Sequence, residues 1–536
     1  MSVLNNISFL SELEKKLSTG LTAFVISKLY EFLKFHKYFF TSSKERVFIA
    51  QLCRRAGIYE EGLKVLSPII HPEFNSKYNT ASEQELLEYA NLISHIGSIK
   101  ESIEILDALD STLNPKVLLH KAFICFSRWD YVGALTNLQD FTKIVDDNSF
   151  DSLVGKANLL MCKVYLLREG FETQNSGLIE NQLIDFINLL DQLNFNKLKL
   201  SMIEVLGQYF LSQRKFDLAK KYFEILLNES NLTQREKIFA SKWYYINELE
   251  QSKTVQDNAL KKLLTLKKNS MKVQNFETAR DIDFHIGRIF KNEFLLNKVY
   301  FGTPFEQFKN RVERQLTQLN LRLADIFYFN SISNSNLIYS NATIEYINYI
   351  DSESKNVNSM NRSSTFVTPS CYKINNFDCL SHLEKQTFKL LLQDFYADAK
   401  IGSLHAQLYP KEYFNPFSSP QKIHSLVYRL NKSLNTNFLK LSVKFKTSGY
   451  SLKVNKNYSF LIENQLKSEF KSEKRIEVII SKIQSNFKSK NSFNRKDIET
   501  LFNVSARTAN NYIGAVLNNG LAIKKGCGPA ANYQMI

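Results

Sequence analysis

The stretch PFSSPQKIHSLVYRLNKSL, residues 416–434, carries its apolar side chains on one helical stripe. Ile423, Leu426, Val427, Leu430 and Leu434 fall at i, i+3, i+4, i+7 and i+11, which predicts an amphipathic helix. Ser419 stands at the N-cap position, and Pro420 suits the first helical residue, where no N–H is needed. Upstream, residues 380–399 predict another helix, with Leu383, Thr387, Leu390, Leu391 and Phe395 on one side and Ser381 with Glu384 as a capping box. A short helix in KIGSLHAQLYP follows, ending at Pro410. Downstream the period changes to two. Leu441, Val443 and Phe445, then Tyr450, Leu452 and Val454, alternate with polar residues, which predicts a hairpin turning at Lys446–Gly449.

The N-terminal part repeats a different pattern. Four segments align on Tyr59, Ile99, Tyr131 and Phe216. Three residues on, each has a small residue (Gly62, Ser102, Ala134, Ala219), and four further comes Leu66, Leu106, Leu138 or Phe223. Nine residues before each anchor stands Ala50, Ala90, Ala122 or Gly207. Small residues at both places let two helices approach closely, and the large residues fill the groove to the next pair. These columns resemble the tetratricopeptide (TPR) repeat, and Gly57 and Gly97 match its interhelical turn. The spacing is irregular, and the widest gap has room for a longer pair around Asn158–Leu167 and Leu178–Leu193. Two or three more helices are expected between Thr233 and Leu323. The resemblance implies a superhelix with a concave face that binds a protein or peptide, or holds a dimer together.

Composition sharpens this picture mainly through charge. The net charge is +16, and residues 376–536, with 24 Lys plus Arg against 11 Asp plus Glu, hold +13 of it. Such a balance favours an acidic partner. The helix face opposite the 416–434 stripe carries Gln421, Lys422, Ser425, Tyr428, Arg429 and Lys432 and no carboxylate. A solvated face usually mixes both signs. Between Ala399 and Ile462 the one acid is Glu412.

Three helices and a basic hairpin, in this order, resemble the OmpR/PhoB-type winged-helix DNA-binding domain over Leu380–Val454. Leu380-Ser381 with Glu384 matches the motif opening its first helix. Ile423-His424, Val427, Arg429-Leu430 and Leu434 match its recognition helix, and Gly449-Tyr450-Ser451-Leu452 matches the end of its wing. Asn431 stands where the family usually has a second Arg. The resemblance implies that Gln421, Lys422 and Ser425 face base edges in the major groove, that Arg429 and Lys432 reach phosphate, and that Lys446, Thr447 and Ser448 at the wing tip touch the adjacent backbone or minor groove. In this family the loop matching Tyr409–Ser419 touches RNA polymerase. Tyr413, beside Lys411 and Glu412, is the candidate for that contact, while Phe414 and Phe417 are expected to pack beneath the loop.

A second such pattern closes the chain. Ile476, Ile480, Ile483 and Phe487 form one stripe; Asn494 caps a helix to Phe502; Val504 and Ser505 make a turn; Ala509, Ile513, Val516 and Leu517 face inward, and Gly520 ends the helix. LAIKK, GCGPA and NYQM complete a small wing. This resembles bacterial winged helix-turn-helix modules and makes Arg507, Thr508, Asn510 and Asn511 candidates for DNA contact.

Enzyme motifs such as GxxxxGK[ST], HExxH and GxSxG do not occur, and neither cysteines nor histidines show metal spacing. The six cysteines are scattered, as buried thiols in a reducing compartment would be. No signal peptide or membrane span is legible. The sequence therefore predicts a mainly α protein: a TPR-like superhelix over 1–330, a Ser/Asn-rich linker over 331–378 with a short strand in TIEYINYI, a winged helix over 379–456 and a second over 472–536. The expected function is that of a cytoplasmic DNA-binding transcriptional regulator without cofactor, acting on double-stranded DNA. The alternative is a repeat adaptor whose winged helices assemble proteins without DNA.

Overall fold

The computed structural model describes residues 3–71, 81–146, 149–170, 176–230, 232–251, 256–324, 326–329, 338–340, 380–436, 441–446, 449–454, 460–463, 480, 483, 486–487, 492–502, 506–518, 521–525 and 531–535. Helices dominate, with only small antiparallel sheets. The first helices are α1 Val3–Ser18, α2 Thr22–Phe35, α3 Ser43–Ala56, α4 Tyr59–Ile70, α5 Glu83–His95, α6 Ile99–Asp107, α7 Lys116–Ser127 and α8 Tyr131–Ile144. Then come α9 Phe150–Arg168, α10 Ser176–Gln192, α11 Asn196–Ser212 and α12 Phe216–Leu227. Thr233 to Leu323 holds five helices rather than two or three: α13 Gln234–Gln251, α14 Gln256–Lys272, α15 Phe276–Ile289, α16 Glu293–Phe301 and α17 Glu306–Gln318. Their buried charges (Lys242, Arg280, Asp281, Asp283) break the apolar stripe that a sequence reading follows.

Nearly every helix packs on the next, and odd-numbered helices also pack on one another from α1 to α7 and from α9 to α15. The alignment columns explain this stacking. Tyr59, Ile99, Tyr131 and Phe216 are the first residues of α4, α6, α8 and α12. The small residues of both columns are buried, as are Leu66, Leu106, Leu138 and Phe223. Ser102 Oγ donates to Ala90 O at 2.7 Å across one pair. The turns into α4, α6, α8, α12 and α16 each pass through a left-handed residue two positions before the helix. Gly57 and Gly97 take that place (φ 81° and 98°), but so do Trp129, Arg214 and Lys291 (φ 63°, 58° and 50°).

Two short strands follow, β1 Ile326–Phe329 and β2 Ile338–Ser340, paired antiparallel. The linker reading over 341–378, with its TIEYINYI strand, lies outside the described residues. Next come α18 His382–Leu391, α19 Ile401–Leu408, α20 Ser419–Thr436 and the hairpin β3 Leu441–Lys446 with β4 Gly449–Val454. α18 is shorter than expected because Asp394 turns the chain, its Oδ1 accepting from Tyr396 N at 2.8 Å and Ala397 N at 3.0 Å.

The chain divides into two compact units, Met1–Leu461 and Ile462–Ile536, so residues 380–454 belong with the N-terminal helices. One apolar core runs from Ala50, Leu63, Leu66, Tyr89 and Ile96 into Phe388, Leu404, Ile423, Leu430, Val443 and Tyr450. Gly402 sits so close to Ile96 that a Cβ would stand 2.6 Å from its carbonyl oxygen. A second anchor lies on α15 and at the end of α16. Phe395 N donates to Gly302 O at 3.1 Å, Tyr396 Oη to Asp283 Oδ2 at 2.8 Å, and Arg280 pairs with Asp394 at 2.7 Å. The 380–454 segment thus bridges α3–α6 and α15–α16.

After β5 Phe460–Glu463, which spans the unit boundary, the second unit contains β6 Phe493–Asn494, α21 Arg495–Phe502, α22 Ala506–Asn518, β7 Ala522–Lys525 and β8 Asn532–Met535, with strand order β6-β8-β7. Its core holds Ile483, Phe487, Phe493, Ile498, Ala509, Ile513 and Val516. The turn at Val504–Ser505, the GCGPA segment, Ile476 and Gly520 lie outside the described residues. Among the described residues no helix is long and apolar enough to cross a membrane.

Candidate nucleic-acid interface

The interface is built on α20. Ile423, Leu426, Val427, Leu430 and Leu434 are buried, which turns the opposite face outward. Gln421, Lys422, Ser425, Arg429 and Lys432 are all exposed on it, and Tyr428, 71% exposed, stands among them. Ser419 begins the helix, but its hydroxyl serves the preceding loop: it accepts from Asn415 N at 2.9 Å and meets His405 Nε2 at 3.0 Å. The capping box of α18 forms as expected from Ser381 and Glu384.

The hairpin is fixed against α20 by a residue the resemblance counted as a departure. Asn431 Nδ2 donates to Val443 O at 2.9 Å and its Oδ1 accepts from Val443 N at 2.7 Å. At the family's second arginine position, this chain spends the side chain on aligning helix and hairpin. His424 bonds the Tyr450 hydroxyl and packs edge-on against Phe445 and Tyr450. Burial pushes the Tyr450 hydroxyl up to about 12, so it stays protonated at neutral pH. β3 pairs with β4 from Leu441↔Val454 to Lys446↔Gly449, the turn the sequence predicts. The apolar face is incomplete: Leu441 and Val443 are buried but Phe445 is 55% exposed. Lys444 and Lys446 are exposed, while Thr447 and Ser448 lie outside the described residues.

Acids reach this face from outside α20. Lys422 Nζ donates to Glu412 Oε2 at 2.5 Å, and Lys446 Nζ to Asp398 Oδ1 at 3.1 Å. Burial pushes the Glu384 carboxyl up, but hydrogen bonds from Ser381 and Ser433 and the charge of Arg429 together hold it below its usual value. The sequence places Asp398 just outside the acid-poor window, so this pairing was not legible there.

The loop before α20 lies against α6 and the residues that follow α2 and α4. Phe414 is buried, its N–H donating to Glu101 Oε2 at 3.0 Å. Tyr413 is 52% exposed and stacks on His71 at 4.8 Å between centroids. Phe417, expected to pack beneath the loop, is 52% exposed and meets the Tyr38 ring edge-on at 6.3 Å.

In the second unit Asn494 caps α21, its Oδ1 accepting from Lys496 N and Asp497 N at 2.8 and 3.2 Å. Arg507, Thr508, Asn510 and Asn511 all lie on the first turns of α22. Asn510 is exposed; the side chains of Arg507, Thr508 and Asn511 lie outside the described residues.

No protein-family model matches this chain, and no curated protein sequence matches it.

Proposed function

We propose that this chain is a DNA-binding transcriptional regulator in which residues 380–454 form an OmpR/PhoB-type winged helix held on a TPR-like superhelix. The observation that carries the reading is the outward face of α20. Gln421, Lys422, Ser425, Arg429 and Lys432 stand exposed on one side of a helix whose sequence contains no carboxylate. Lys444 and Lys446 extend the charge along the hairpin, and Asn431 fixes the two elements in one orientation. Gln421 and Ser425 then read base edges in the major groove, while Arg429 and Lys432 neutralise phosphates. The second unit supplies a further contact through Asn510 and its neighbours on α22. Such a regulator works in the cytoplasm, its superhelix receives a protein or peptide or a second copy of the chain, and Tyr413 on the loop before α20 offers a surface to RNA polymerase.

A second reading is an adaptor that uses these modules for protein assembly. The pairing of Lys422 with Glu412 and Lys446 with Asp398 favours it, since both cations already have partners. Duplex binding by the whole chain separates the two. If about six phosphates are neutralised, affinity falls by roughly 10³ between 50 and 200 mM salt. Lys432→Ala weakens binding to every sequence, whereas Gln421→Ala costs about 1–3 kcal/mol on the preferred site alone. No salt-sensitive binding to any duplex would leave the adaptor.

A further inference from the structure

Two cavities of about 410 Å³ each share lining residues, the first lined from α9, α11, α13, α15 and α17 and the turns after α9 and α11, the second from α7, the start of α8, α9, α13, α15 and α17. Arg168, Glu169, Trp243 and Arg311 belong to both. The first cavity is basic: five arginines line it against Glu169 and Glu250. Those two carboxylates are already paired, Glu169 with Arg311 and Arg314 and Glu250 with Arg288. Arg168 forms no ion pair among the described residues. Its guanidinium lies 4.0 Å over the Trp243 ring, donates to Gln208 Oε1 at 2.5 Å and meets His285 Nε2 at 3.3 Å. Burial, and then the adjacent Arg311, pull it below its ordinary value against the charge of Asp281. The second cavity is walled by Phe126, Trp129, Met161, Tyr165 and Phe239.

A second observation points to a missing acceptor. Trp243 is 2% exposed, and its indole Nε1–H has no hydrogen-bond partner. A buried donor without an acceptor is unusual in a folded protein. Across the cavities the opposite walls are joined: Trp129 Nε1 donates to Glu277 at 2.9 Å, its ring meets Phe308 at 4.4 Å, and Arg314 donates to Glu169 at 2.7 Å. These ties join the turns at Trp129 and Glu169 to α15 and α17.

We propose that the paired cavities bind a compact organic acid, its carboxylate or phosphate on Arg168 and Arg314 and its aromatic or apolar body against Trp129 and Tyr165. This does not rest on DNA binding. It replaces an extended peptide with a small effector as the ligand inside the superhelix.

The chain has two tryptophans, Trp129 and Trp243, and both line the second cavity, so intrinsic fluorescence reports occupancy. Titration of the full chain would use N-acetylphenylalanine, phenyl phosphate, and the neutral N-acetylphenylalaninamide. The expected result is a saturable change with at least one acid, at about 10 mM or below, and much weaker binding of the amide. The tighter acid identifies the headgroup. Arg168→Gln should weaken the acid about tenfold and leave the amide unchanged. Arg314→Gln, on a partly exposed side chain, should act in the same direction if the first variant fails to fold. Equal binding of acid and amide, or no saturable change with either acid, overturns the proposal. Binding of an extended acidic peptide without either small acid also overturns it.

Discussion

Replacing Asp394 by Asn should loosen residues 380–454 from α15 and α16 without unfolding either part. Arg280 is 0% exposed, and its guanidinium pairs with Asp394 Oδ2 at 2.7 Å and with Glu277 at 3.3 Å, and bonds the Thr303 hydroxyl. Removing one partner of a buried ion pair costs about 3–5 kcal/mol, because the other charge stays buried alone. Asn keeps the Oδ1 acceptor for Tyr396 N and Ala397 N but turns an N–H₂ donor toward Arg280. Glu277 remains, so the lower end applies, about 3 kcal/mol. A chain of two units does not unfold in one step, so the loss is best read locally, from hydrogen exchange. The Phe395 amide, bonded to Gly302 O, should exchange roughly 150-fold faster, which is 3 kcal/mol at 1.36 per decade. Arg280→Met combined with Asp394→Asn should recover part of the loss, since it removes the unpaired buried charge but leaves Glu277 without its arginine. Exchange at Phe395 within about twofold of the parent, or additive effects in the double variant, would refute the reasoning.

Other consequences concern pH and turns. His285 is 3% exposed; burial depresses it well below its ordinary value, with Arg288, Arg168 and Arg311 adding to this against Asp281. The unfolded chain therefore takes up a proton below about pH 6.5 that the fold refuses, and stability falls by about 1.4 kcal/mol per pH unit as pH drops. Burial pushes Glu204 the other way, up to about 7 against the charges of Lys242 and Arg168 and a hydrogen bond from Gln208, so its share of stability is present at low pH and lost as pH rises through 7. Between about pH 4.5 and 6.5 the two slopes cancel, and Glu204→Gln should expose the histidine's slope in denaturation measured across that range; an unchanged pH profile would count against both assignments. At the repeat turns, Arg214→Gly and Lys291→Gly should each stabilise by up to about 1 kcal/mol by relieving a left-handed residue, whereas Gly97→Ala should destabilise; thermal melts check the signs.

The parts of this fold legible in the sequence are those governed by local chemistry. The four anchors begin helices, and the small residues of both columns are buried where those helices pack. The Ser381–Glu384 box, the Asn494 cap and the Lys446↔Gly449 turn each depend on residues within four positions. The docking of 380–454 onto the N-terminal helices was not legible. Its contacts join residues more than a hundred apart, such as Asp283 with Tyr396 and Glu101 with Phe414. One signal was available: the run Arg280-Asp281-Ile282-Asp283-Phe284-His285 puts four ionisable residues into six positions of a helix. A solvated helix would carry such charges on one side, but every residue of this run is buried. The face of α20 was read correctly as outward, while the acids that meet it, Glu412 and Asp398, come from loops whose paths no helical period specifies.

The same run in α15 makes the cavity and the docking contact parts of one rigid element, and this has a measurable consequence. Asp281 and His285 lie four residues apart on the side toward the cavities, while Arg280 and Asp283 hold Asp394 and Tyr396. A helix cannot move one side and leave the other in place. A ligand that shifts α15 shifts the grip on residues 380–454, by no more than its difference in affinity for the docked and released forms. Linkage then demands equality. The factor by which phenyl phosphate changes the opening equilibrium at Phe395 must equal the factor by which release of the docking contact changes the affinity for phenyl phosphate. Asp394→Asn, which favours release, supplies the second measurement through tryptophan fluorescence, and hydrogen exchange with and without phenyl phosphate supplies the first. Matching directions would show that the helices lining the cavities govern how residues 380–454 are held. Phenyl phosphate bound equally by both proteins would mean that α15 takes up the ligand without moving, leaving the α20 face indifferent to what fills the cavities.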